Sequence, residues 1–467
     1  MYSSGQKRCW VRTCILIIIF MDISLMFILS GCSIAKTKDI DLSSNYEIVA
    51  TLDSDNRTLA YTAQVNVQND GQDSIAELYF HLYGNMYKSD DSNIAIVSVT
   101  DNMGTPISFK MEDDNQLIRV ALNDALDSGN ETVLIFTCMV TIPIMEDRYG
   151  IARDGEIQMS LFYPQLSVYD GNGWNTAPMN TVGDGRYAEM SNYTLTIEVP
   201  SQYELACNGM ELSRKENGDV TTYIFQADAR REIIFIAFTD YVRMERSVGE
   251  TKILGYFNRS RSRAGMEQVM DAAAFSMEYY SKIFTEYPYD TLVVTNGAWA
   301  TKREISMEYS GLITVAFGDE DYANTVTTYH EMAHQWFYSL VGNDESAEPW
   351  LDESFATFST ALCLEASGYE VSEAYWKIYE IQSNSADGVG VNCAYDEAQV
   401  YEWVFYGRGS IFLKELMDTI GKVEFLSILS DYCQTYSYQI VSTQDFLEIL
   451  REQTNCDIES IIEKYIS

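Results

Sequence analysis

Basic residues are scarce in this chain of 467 residues. Lys and Arg total 31 against 69 Asp and Glu, which gives a formal net charge of −38 at pH 7. A nucleic-acid partner requires clustered Lys and Arg to neutralise phosphates, so this composition argues against nucleic-acid binding. The same negative charge opposes adsorption to anionic lipid headgroups by electrostatics alone.

Proline and glycine are also too few to indicate a special class of chain. Seven Pro and 27 Gly exclude a collagen-like protein, and 13% aromatic residues exclude a disordered one. At about 150 residues per domain, the length predicts two or three globular domains, each with its own core. Composition therefore predicts a globular protein and leaves its chemistry open.

The first 31 residues differ from the rest of the chain. Basic residues at positions 7, 8 and 12 precede a largely apolar run over 14–29 that contains one charged residue, Asp22. Leu29-Ser30-Gly31-Cys32 then resembles a bacterial lipobox. We interpret residues 1–31 as a lipoprotein signal peptide and Cys32 as the lipidated residue, which places the protein on the outer face of a bacterial cell membrane. An uncleaved transmembrane anchor is the alternative, although Asp22 disfavours it.

Residues 32–45 are polar and aperiodic, which predicts a tether. None of the cysteines after Cys32 forms a CxxC pair, so a cysteine-based zinc site is unsupported. An oxidising exterior permits disulfides, but the long spacings in a chain of this size favour buried free thiols. These residues are Cys138, Cys207, Cys363, Cys393, Cys433 and Cys456.

The hydrophobic period divides the remaining chain into two halves. Over 46–258 apolar and polar residues alternate, as in 59–68 and 193–199, which predicts a domain built on a large antiparallel sheet. Over 259–467 a helical period dominates, with short strands at 291–295 and 312–316. The fold class is therefore α+β. We expect helices from about 266 to 280 and at 322–341, 351–367, 370–383, 405–419, 423–435, 443–453 and 457–466.

The chain has only three histidines, and two of them lie in one short motif. His330-Glu331-Met332-Ala333-His334 places two imidazoles four residues apart. On a helix they share one face and can reach one ion at about 2.0–2.1 Å. Glu331 is expected to point about 100° around the helix, close to the ion but not bound to it, which is where a base that takes a proton from water belongs. The third histidine, His81, is interpreted as a sheet-surface residue.

A catalytic zinc site needs a third protein ligand and one open position. Glu353 follows His334 after eighteen residues, beyond a turn at 342–346, in Trp350-Leu351-Asp352-Glu353. A helical hairpin would return this carboxylate to the histidines. The sequence therefore predicts one Zn²⁺ held by His330, His334 and Glu353.

The ordered motifs resemble the membrane alanyl aminopeptidase family of gluzincin zinc peptidases. These motifs are HEMAHQWF, the eighteen-residue gap, WLDESFA, Glu286-Tyr287-Pro288, Met307-Glu308-Tyr309 and Tyr406-Gly407-Arg408-Gly409. The resemblance covers about residues 45–467 and implies a saddle-like sheet domain followed by a thermolysin-like catalytic domain. Longer relatives add a helical capping domain. Because this sequence stops at Ser467, we expect no such domain here and therefore an open cleft with weak limits on peptide length.

The resemblance also implies roles for two further residues. Glu308, expected on an edge strand, would pair with the α-ammonium of a peptide and place the first bond at zinc. Tyr406 would donate its O–H to the developing oxyanion. A solvated strand glutamate and a core tyrosine are the alternative interpretations.

Several residues depart from the family pattern. Ile305 and Ser306 replace small residues before Met-Glu, and Tyr309 replaces a frequent Asn. Asp352 and Ser354 also flank Glu353 where many relatives have Asn and Gly. Thr360 stands where an acidic residue often orients a histidine, so other groups are expected to do so here.

Three functions remain open from the sequence. The first is a lipid-anchored zinc aminopeptidase that acts on extracellular peptides. The second is a zinc endopeptidase in which Glu308 is incidental, and the third is a non-catalytic surface module with structural zinc. Glu331 argues against the third, because a structural site does not use a base beside a ligand. The oligomeric state is open.

Overall fold

The structure, a computed structural model, describes residues 42–86, 93–145, 147–152, 155–179, 182–183, 185–296, 298–300, 303–319, 321–369, 372–392 and 397–466. The predicted signal peptide, Cys32, most of the tether and Cys393 lie outside these residues. The first strand begins at Leu42, which is buried, so residues 42–45 belong to the sheet and not to the tether.

The N-terminal half consists of strands and two short 3₁₀ turns, Tyr83–Met86 and Asp113–Asn115. The strands are β1 (Leu42–Asp53), β2 (Thr58–Asn69), β3 (Ile75–His81), β4 (Asn93–Thr100), β5 (Ser108–Glu112), β6 (Leu117–Leu126), β7 (Glu131–Thr141), β8 (Tyr149–Ile151), β9 (Ile157–Met159), β10 (Gln165–Leu166), β11 (Tyr169–Asp170), β12 (Gly173–Trp174), β13 (Ser191–Pro200), β14 (Glu204–Cys207), β15 (Met210–Asn217), β16 (Val220–Arg230) and β17 (Phe235–Phe238). A seven-stranded sheet has the order β15-β16-β13-β1-β2-β7-β4, and two four-stranded sheets have the orders β10-β3-β6-β5 and β14-β17-β9-β8.

The period-two pattern predicts the buried face of the large sheet correctly. Along β2 the side chains of Leu59, Tyr61, Ala63, Val65 and Val67 are buried, and the residues between them face outward. One pairing departs from the predicted antiparallel arrangement, because β1 and β13 run parallel with Ser44 opposite Ser191. Such a pairing joins strands distant in sequence, which alternation within one strand does not reveal.

The boundary expected at residue 258 differs from the observed sheet membership. Strands β18 (Tyr241–Val248) and β19 (Thr251–Asn258) join β20 (Thr291–Asn296) and β23 (Leu312–Val315) in the order β18-β19-β20-β23. They therefore belong to the sheet of the catalytic half. The change of hydrophobic period marks where helices begin, whereas the sheet changes near Asp240.

The catalytic half is mostly helical, as predicted. Its remaining elements are α1 (Arg263–Ile283), β21 (Ala298–Ala300), β22 (Arg303–Ile305), α2 (Asp321–Ala333), α3 (Trp350–Ala366), α4 (Ser372–Ser385), α5 (Ala398–Tyr401), a π-helical segment (Glu402–Gly409), α6 (Ser410–Ile420), α7 (Lys422–Thr435), α8 (Thr443–Gln453) and α9 (Glu459–Tyr465). Contacts join the two halves into one compact unit.

The cysteines within the described residues are free thiols, as expected. Four of them are buried and Cys456 is partly exposed. Among the described helices, none combines the length and apolar character that crossing a bilayer requires.

His81 is buried, which contradicts the sheet-surface interpretation. It is 3% exposed, its ring stacks on Tyr83 with 4.7 Å between centroids, and Nε2–H donates to the carbonyl of Asn175 at 3.2 Å. Burial lowers its pKa to about 4. The position of His81 at the end of β3 does not reveal from sequence that Tyr83 and the segment at Asn175 cover it.

Candidate active site

The three predicted metal ligands meet at one point between α2 and α3. Nε2 of His330 lies 3.1 Å from Nε2 of His334 and 3.1 Å from Oε2 of Glu353. Nε2 of His334 lies 3.5 Å from the same carboxylate oxygen. Ligands of a tetrahedral zinc ion with bonds of about 2.05 Å are about 3.3 Å apart, so the residues fit Zn²⁺ without rearrangement.

The second histidine is oriented by the backbone. Nδ1–H of His334 donates to the carbonyl of Phe337 at 3.1 Å, which leaves Nε2 as the lone-pair donor toward the cluster. Thr360 does not take this role, because its hydroxyl donates to the carbonyl of Ala356 on its own helix. The expectation that other groups orient the histidines agrees with this arrangement.

Helix α2 ends at Ala333, eight residues before the predicted end at 341. The following segment turns back so that the amide of Tyr338 donates to the carbonyl of Val341 at 2.8 Å. Tyr338 has a φ of 117°, which a helix does not permit. The apolar pattern extends to 341 because Trp336 and Phe337 are buried, although the backbone is no longer helical.

The donors strongly perturb one another's pKa. Burial lowers the pKa of His334, but the hydrogen bond to Glu353 and the nearby carboxylates of Glu308 and Glu331 outweigh it and hold the pKa well above its ordinary value. Burial raises the pKa of Glu353, but hydrogen bonds with His330 and His334 hold it well below its ordinary value. These shifts indicate a negative potential at the ring nitrogens, which favours a bound cation.

The predicted base and the predicted amine-binding carboxylate line one cleft of about 850 Å³ with the metal ligands. Glu331 is 6% exposed and Glu308 is 5% exposed. Glu308 was expected on an edge strand, but it lies outside the strands given above. It follows Met307, whose backbone makes an isolated antiparallel bridge with Thr314 of β23.

The predicted catalytic phenol also lies in this cleft. Its hydroxyl donates to Oε1 of Glu353, and its ring stacks on His330 with 5.7 Å between centroids. Tyr406 belongs to the π-helical segment, a form of helix that is rare and frequent at functional sites. The sequence pattern predicts an α-helix from about 405, and the π-helix precedes the α-helix that begins at Ser410.

Arg408 of the same motif points away from the cleft. Its guanidinium donates to the carbonyl of Lys464 and lies 4.7 Å from the ring centroid of Tyr465. Arg408 therefore joins the π-helical segment to α9 and is a packing residue.

Three residues that the sequence analysis did not single out shape the cleft. Gln335 donates through Nε2 to the carbonyl of Tyr309 at 3.1 Å. Arg186 donates through Nη2 to Oε1 of Glu308 at 2.8 Å. Tyr401 lines the cleft wall opposite Gly183, where an added Cβ would lie 2.5 Å from the tyrosine ring. The position of Gln335 directly after His334 could have pointed to it from the sequence. Arg186 lies in an irregular loop, where no sequence motif marks it.

Comparison with known proteins agrees with this site. Residues 268–465 match the peptidase family M1 domain. Aminopeptidase M1-B of Oryza sativa subsp. japonica is 24% identical over 339 residues, which cover 65% of this chain and 38% of that enzyme. Glutamyl aminopeptidase of Mus musculus is 22% identical over 307 residues, which cover 59% of this chain and 32% of that enzyme. The chain thus spans less than half the length of these relatives.

A solved structure shares the fold over almost the whole chain. The M1 zinc metallopeptidase of Deinococcus radiodurans superposes with a TM-score of 0.69 at 17% identity, covering 91% of this chain and 94% of that one. The predicted α+β class, a sheet domain followed by a helical catalytic domain, is confirmed. The predicted zinc cofactor agrees with both findings, and His330, His334 and Glu353 lie within the residues that match the M1 domain. Residues 268–465 therefore carry a peptidase family M1 domain, and the chain has the fold of an M1 zinc metallopeptidase.

Proposed function

We propose that this protein is an aminopeptidase, which removes residues from the N-terminus of peptides. The observation that carries the proposal is the buried carboxylate of Glu308 in the cleft that also holds the zinc ligands and Glu331. A fixed carboxylate beside the metal centre can pair with an α-ammonium group, so that the first peptide bond is the one within reach.

Solved structures of a related protein support a substrate of this kind. A mutant of the Deinococcus radiodurans enzyme is described with a Tyr-Ser-Ala substrate, and two-domain M1 zinc metallopeptidase mutants are described with L-tryptophan and with L-arginine. A tripeptide and free amino acids are the substrate and product classes of an aminopeptidase.

The side chains of this chain divide the chemistry among them. Zinc, when bound by His330, His334 and Glu353, supplies a Lewis acid that polarises a carbonyl and activates water. Glu331 accepts the proton of the attacking water and passes it to the leaving amine. Tyr406 donates its O–H to the oxygen on which negative charge develops.

The experiment that tests the proposal compares two fluorogenic peptides that differ only in acetylation of the N-terminus. We expect the peptide with a free amine to be cleaved after its first residue, with the acetylated peptide cleaved at least about a hundredfold more slowly because it lacks the charged group that Glu308 binds. Equal cleavage of both, or cleavage at an internal bond, would identify an endopeptidase instead. Loss of activity with a chelator and its recovery with Zn²⁺ serve as the control.

We also propose that the protein is anchored by lipid at Cys32 and acts outside the bacterial cell membrane. The support is the sequence Leu29-Ser30-Gly31-Cys32 after a basic and apolar segment. Expressed in a bacterium with an azide-bearing fatty acid, the wild-type chain should be labelled and should partition into detergent, while Cys32→Ala should do neither. A labelled Cys32→Ala chain would refute lipidation at this residue.

A further inference from the structure

A buried charge cluster adjoins the active site, and of its members the chemistry described so far uses only Glu308. It consists of one guanidinium, Arg186, and the carboxylates of Glu232, Glu308 and Glu345. Nη2 of Arg186 lies 2.8 Å from Glu308, Nη1 lies 3.4 Å from Glu232, and Nε lies 3.5 Å from Glu345. All four side chains are at most 6% exposed.

The guanidinium is fixed from several sides. The ring centroid of Tyr338 lies 4.6 Å from its Cζ and that of Tyr309 lies 5.4 Å away. Its own backbone amide donates to Glu345 at 2.8 Å. A buried arginine with this many partners has little freedom to move, so the atoms it holds are fixed too.

Tyr338 is held in an unfavourable backbone conformation at this place. Its φ of 117° is rare for a residue with a bulky side chain, and strain of this kind persists only where the surroundings impose it. Its hydroxyl donates to Glu232 while its ring covers Arg186. The segment after the zinc-binding histidines thus contributes directly to the cluster.

The backbone of Glu308 is tied to the same segment. Nε2 of Gln335 donates to the carbonyl of Glu308 at 3.3 Å, and Oε1 of Gln335 accepts the amide of Gly311 at 2.9 Å. Gln335 directly follows His334. Gln335 therefore holds the main chain of Glu308, and Arg186 holds its carboxylate.

The charge balance permits this arrangement to bind a cation. One guanidinium faces three carboxylates, so with all three ionised the cluster keeps net negative charge beside the cleft. Without Arg186, three buried carboxylates would repel one another and favour displacement of Glu308. Arg186 holds one oxygen of Glu308 in place.

We propose that Arg186 is a positioning residue for recognition of the substrate's α-ammonium group, and that it acts through Glu308. This inference rests on the proposed aminopeptidase function. Arg186, a residue of the sheet domain, would then help Glu308 to restrict cleavage to the first peptide bond.

The test uses two non-hydrolysable inhibitors of the zinc-loaded full-length enzyme that differ only in the amine, leucinol and 4-methylpentan-1-ol. For the wild type we expect leucinol to bind about tenfold to a hundredfold more tightly, the range of a charged hydrogen bond. Arg186→Gln should reduce this preference about tenfold and leave the inhibition constant of 4-methylpentan-1-ol unchanged within about twofold. Arg186→Lys, which retains the charge but not the planar fork, should fall between them.

A double variant separates a positioning role from a general effect on folding. Because Arg186 acts through Glu308, the preference of Arg186→Gln/Glu308→Gln should be no lower than that of Glu308→Gln alone. Arg259→Gln, which removes an exposed arginine paired with Asp240, is the matched control and should keep the wild-type preference. If Arg186→Gln does not fold, Glu345→Gln, which loosens Arg186 without touching Glu308, should lower the preference several-fold.

The outcomes distinguish this inference from the function on which it rests. A wild type that binds leucinol and 4-methylpentan-1-ol equally overturns the aminopeptidase function and this assignment together. A wild type that discriminates, a Glu308→Gln variant that does not, and folded Arg186 or Glu345 variants with full discrimination overturn the role of Arg186 alone.

Discussion

At the scale of single residues, Glu331 offers the sharpest test of the chemistry. Glutamine has nearly the same shape but does not accept a proton, so we expect Glu331→Gln to lower kcat by roughly 10²- to 10⁴-fold. The zinc content should stay at one ion per chain, because Glu331 is not among the three clustered donors. Elemental analysis and steady-state kinetics measure both quantities. Activity near that of the wild type would contradict the assignment of Glu331 as the base.

Tyr406 tests the stabilisation of the oxyanion. Tyr406→Phe removes one O–H donor and keeps the ring that stacks on His330. We expect kcat to fall about 10²- to 10³-fold with KM nearly unchanged, since this hydrogen bond strengthens only as charge develops. Tyr438→Phe, a change at an exposed tyrosine, is the control. A larger effect on KM than on kcat would indicate a role in substrate binding.

His81 predicts how stability depends on pH. Burial lowers its pKa from 6.5 to about 4, so the unfolded chain takes up a proton at higher pH than the folded chain. The stability that the neutral imidazole provides is therefore fully present above pH 6.5 and is lost as the pH falls toward 4, by about 3 kcal/mol in total. His81→Gln should lack this part of the decline when urea unfolding is compared at pH 7 and pH 4. Identical pH dependence of both proteins would contradict burial of a neutral His81.

At the scale of elements, the π-helical segment and α3 approach so closely that only glycine fits between them. A Cβ at Gly409 would lie 1.9 Å from Oγ and 2.7 Å from Cβ of Ser354, the residue after the zinc ligand Glu353. The same Ser354 hydroxyl donates to the carbonyl of Phe405 at 2.6 Å. The packing of these two elements thus sets where Tyr406 stands relative to the metal site.

This contact makes a prediction about paired substitutions. Gly409→Ala should destabilise the protein by about 1–3 kcal/mol through overpacking and should lower kcat by displacing Tyr406. Ser354→Gly in the same chain removes the opposing side chain and should recover part of both losses, as measured by thermal unfolding and kinetics. If Ser354→Gly makes Gly409→Ala worse, the two elements do not meet as the structure shows.

The elements also show what the sequence can and cannot predict. His330, His334 and Glu353 were predictable because their spacing on two helices determines a shared face. The end of α2 was not, since Trp336 and Phe337 are buried after the helix stops as they would be within it. That β18 and β19 join the sheet of the catalytic half was equally hidden, because the pairing of β19 with β20 joins residues more than 30 positions apart. The metal ligands can therefore be predicted from local spacing, whereas the elements that surround the site depend on contacts between residues distant in sequence.

At the scale of the whole molecule, the two halves meet around a buried arginine. Arg231 is 2% exposed, and it follows β16 of the sheet domain. Its guanidinium donates to the carbonyl of Ala188 at 2.8 Å in its own half, and to those of Tyr338 at 2.6 Å and Gln439 at 3.0 Å in the catalytic half. The sheet domain therefore holds the loop after α2 that contains Tyr338, which we call the catalytic loop.

Arg231 predicts that the two halves unfold together. Arg231→Met keeps much of the side-chain volume but removes the guanidinium donor from the buried carbonyls of Ala188, Tyr338 and Ser339, and each such group costs about 1–3 kcal/mol. We expect the unfolding free energy to fall by at least about 3 kcal/mol, in one transition that tryptophan fluorescence and loss of activity report at the same urea concentration. Arg243→Met, on the exposed side of β18, should change it by less than about 1 kcal/mol. Two separate transitions, or equal effects of the two substitutions, would show that the sheet domain is not needed to hold the catalytic loop in place.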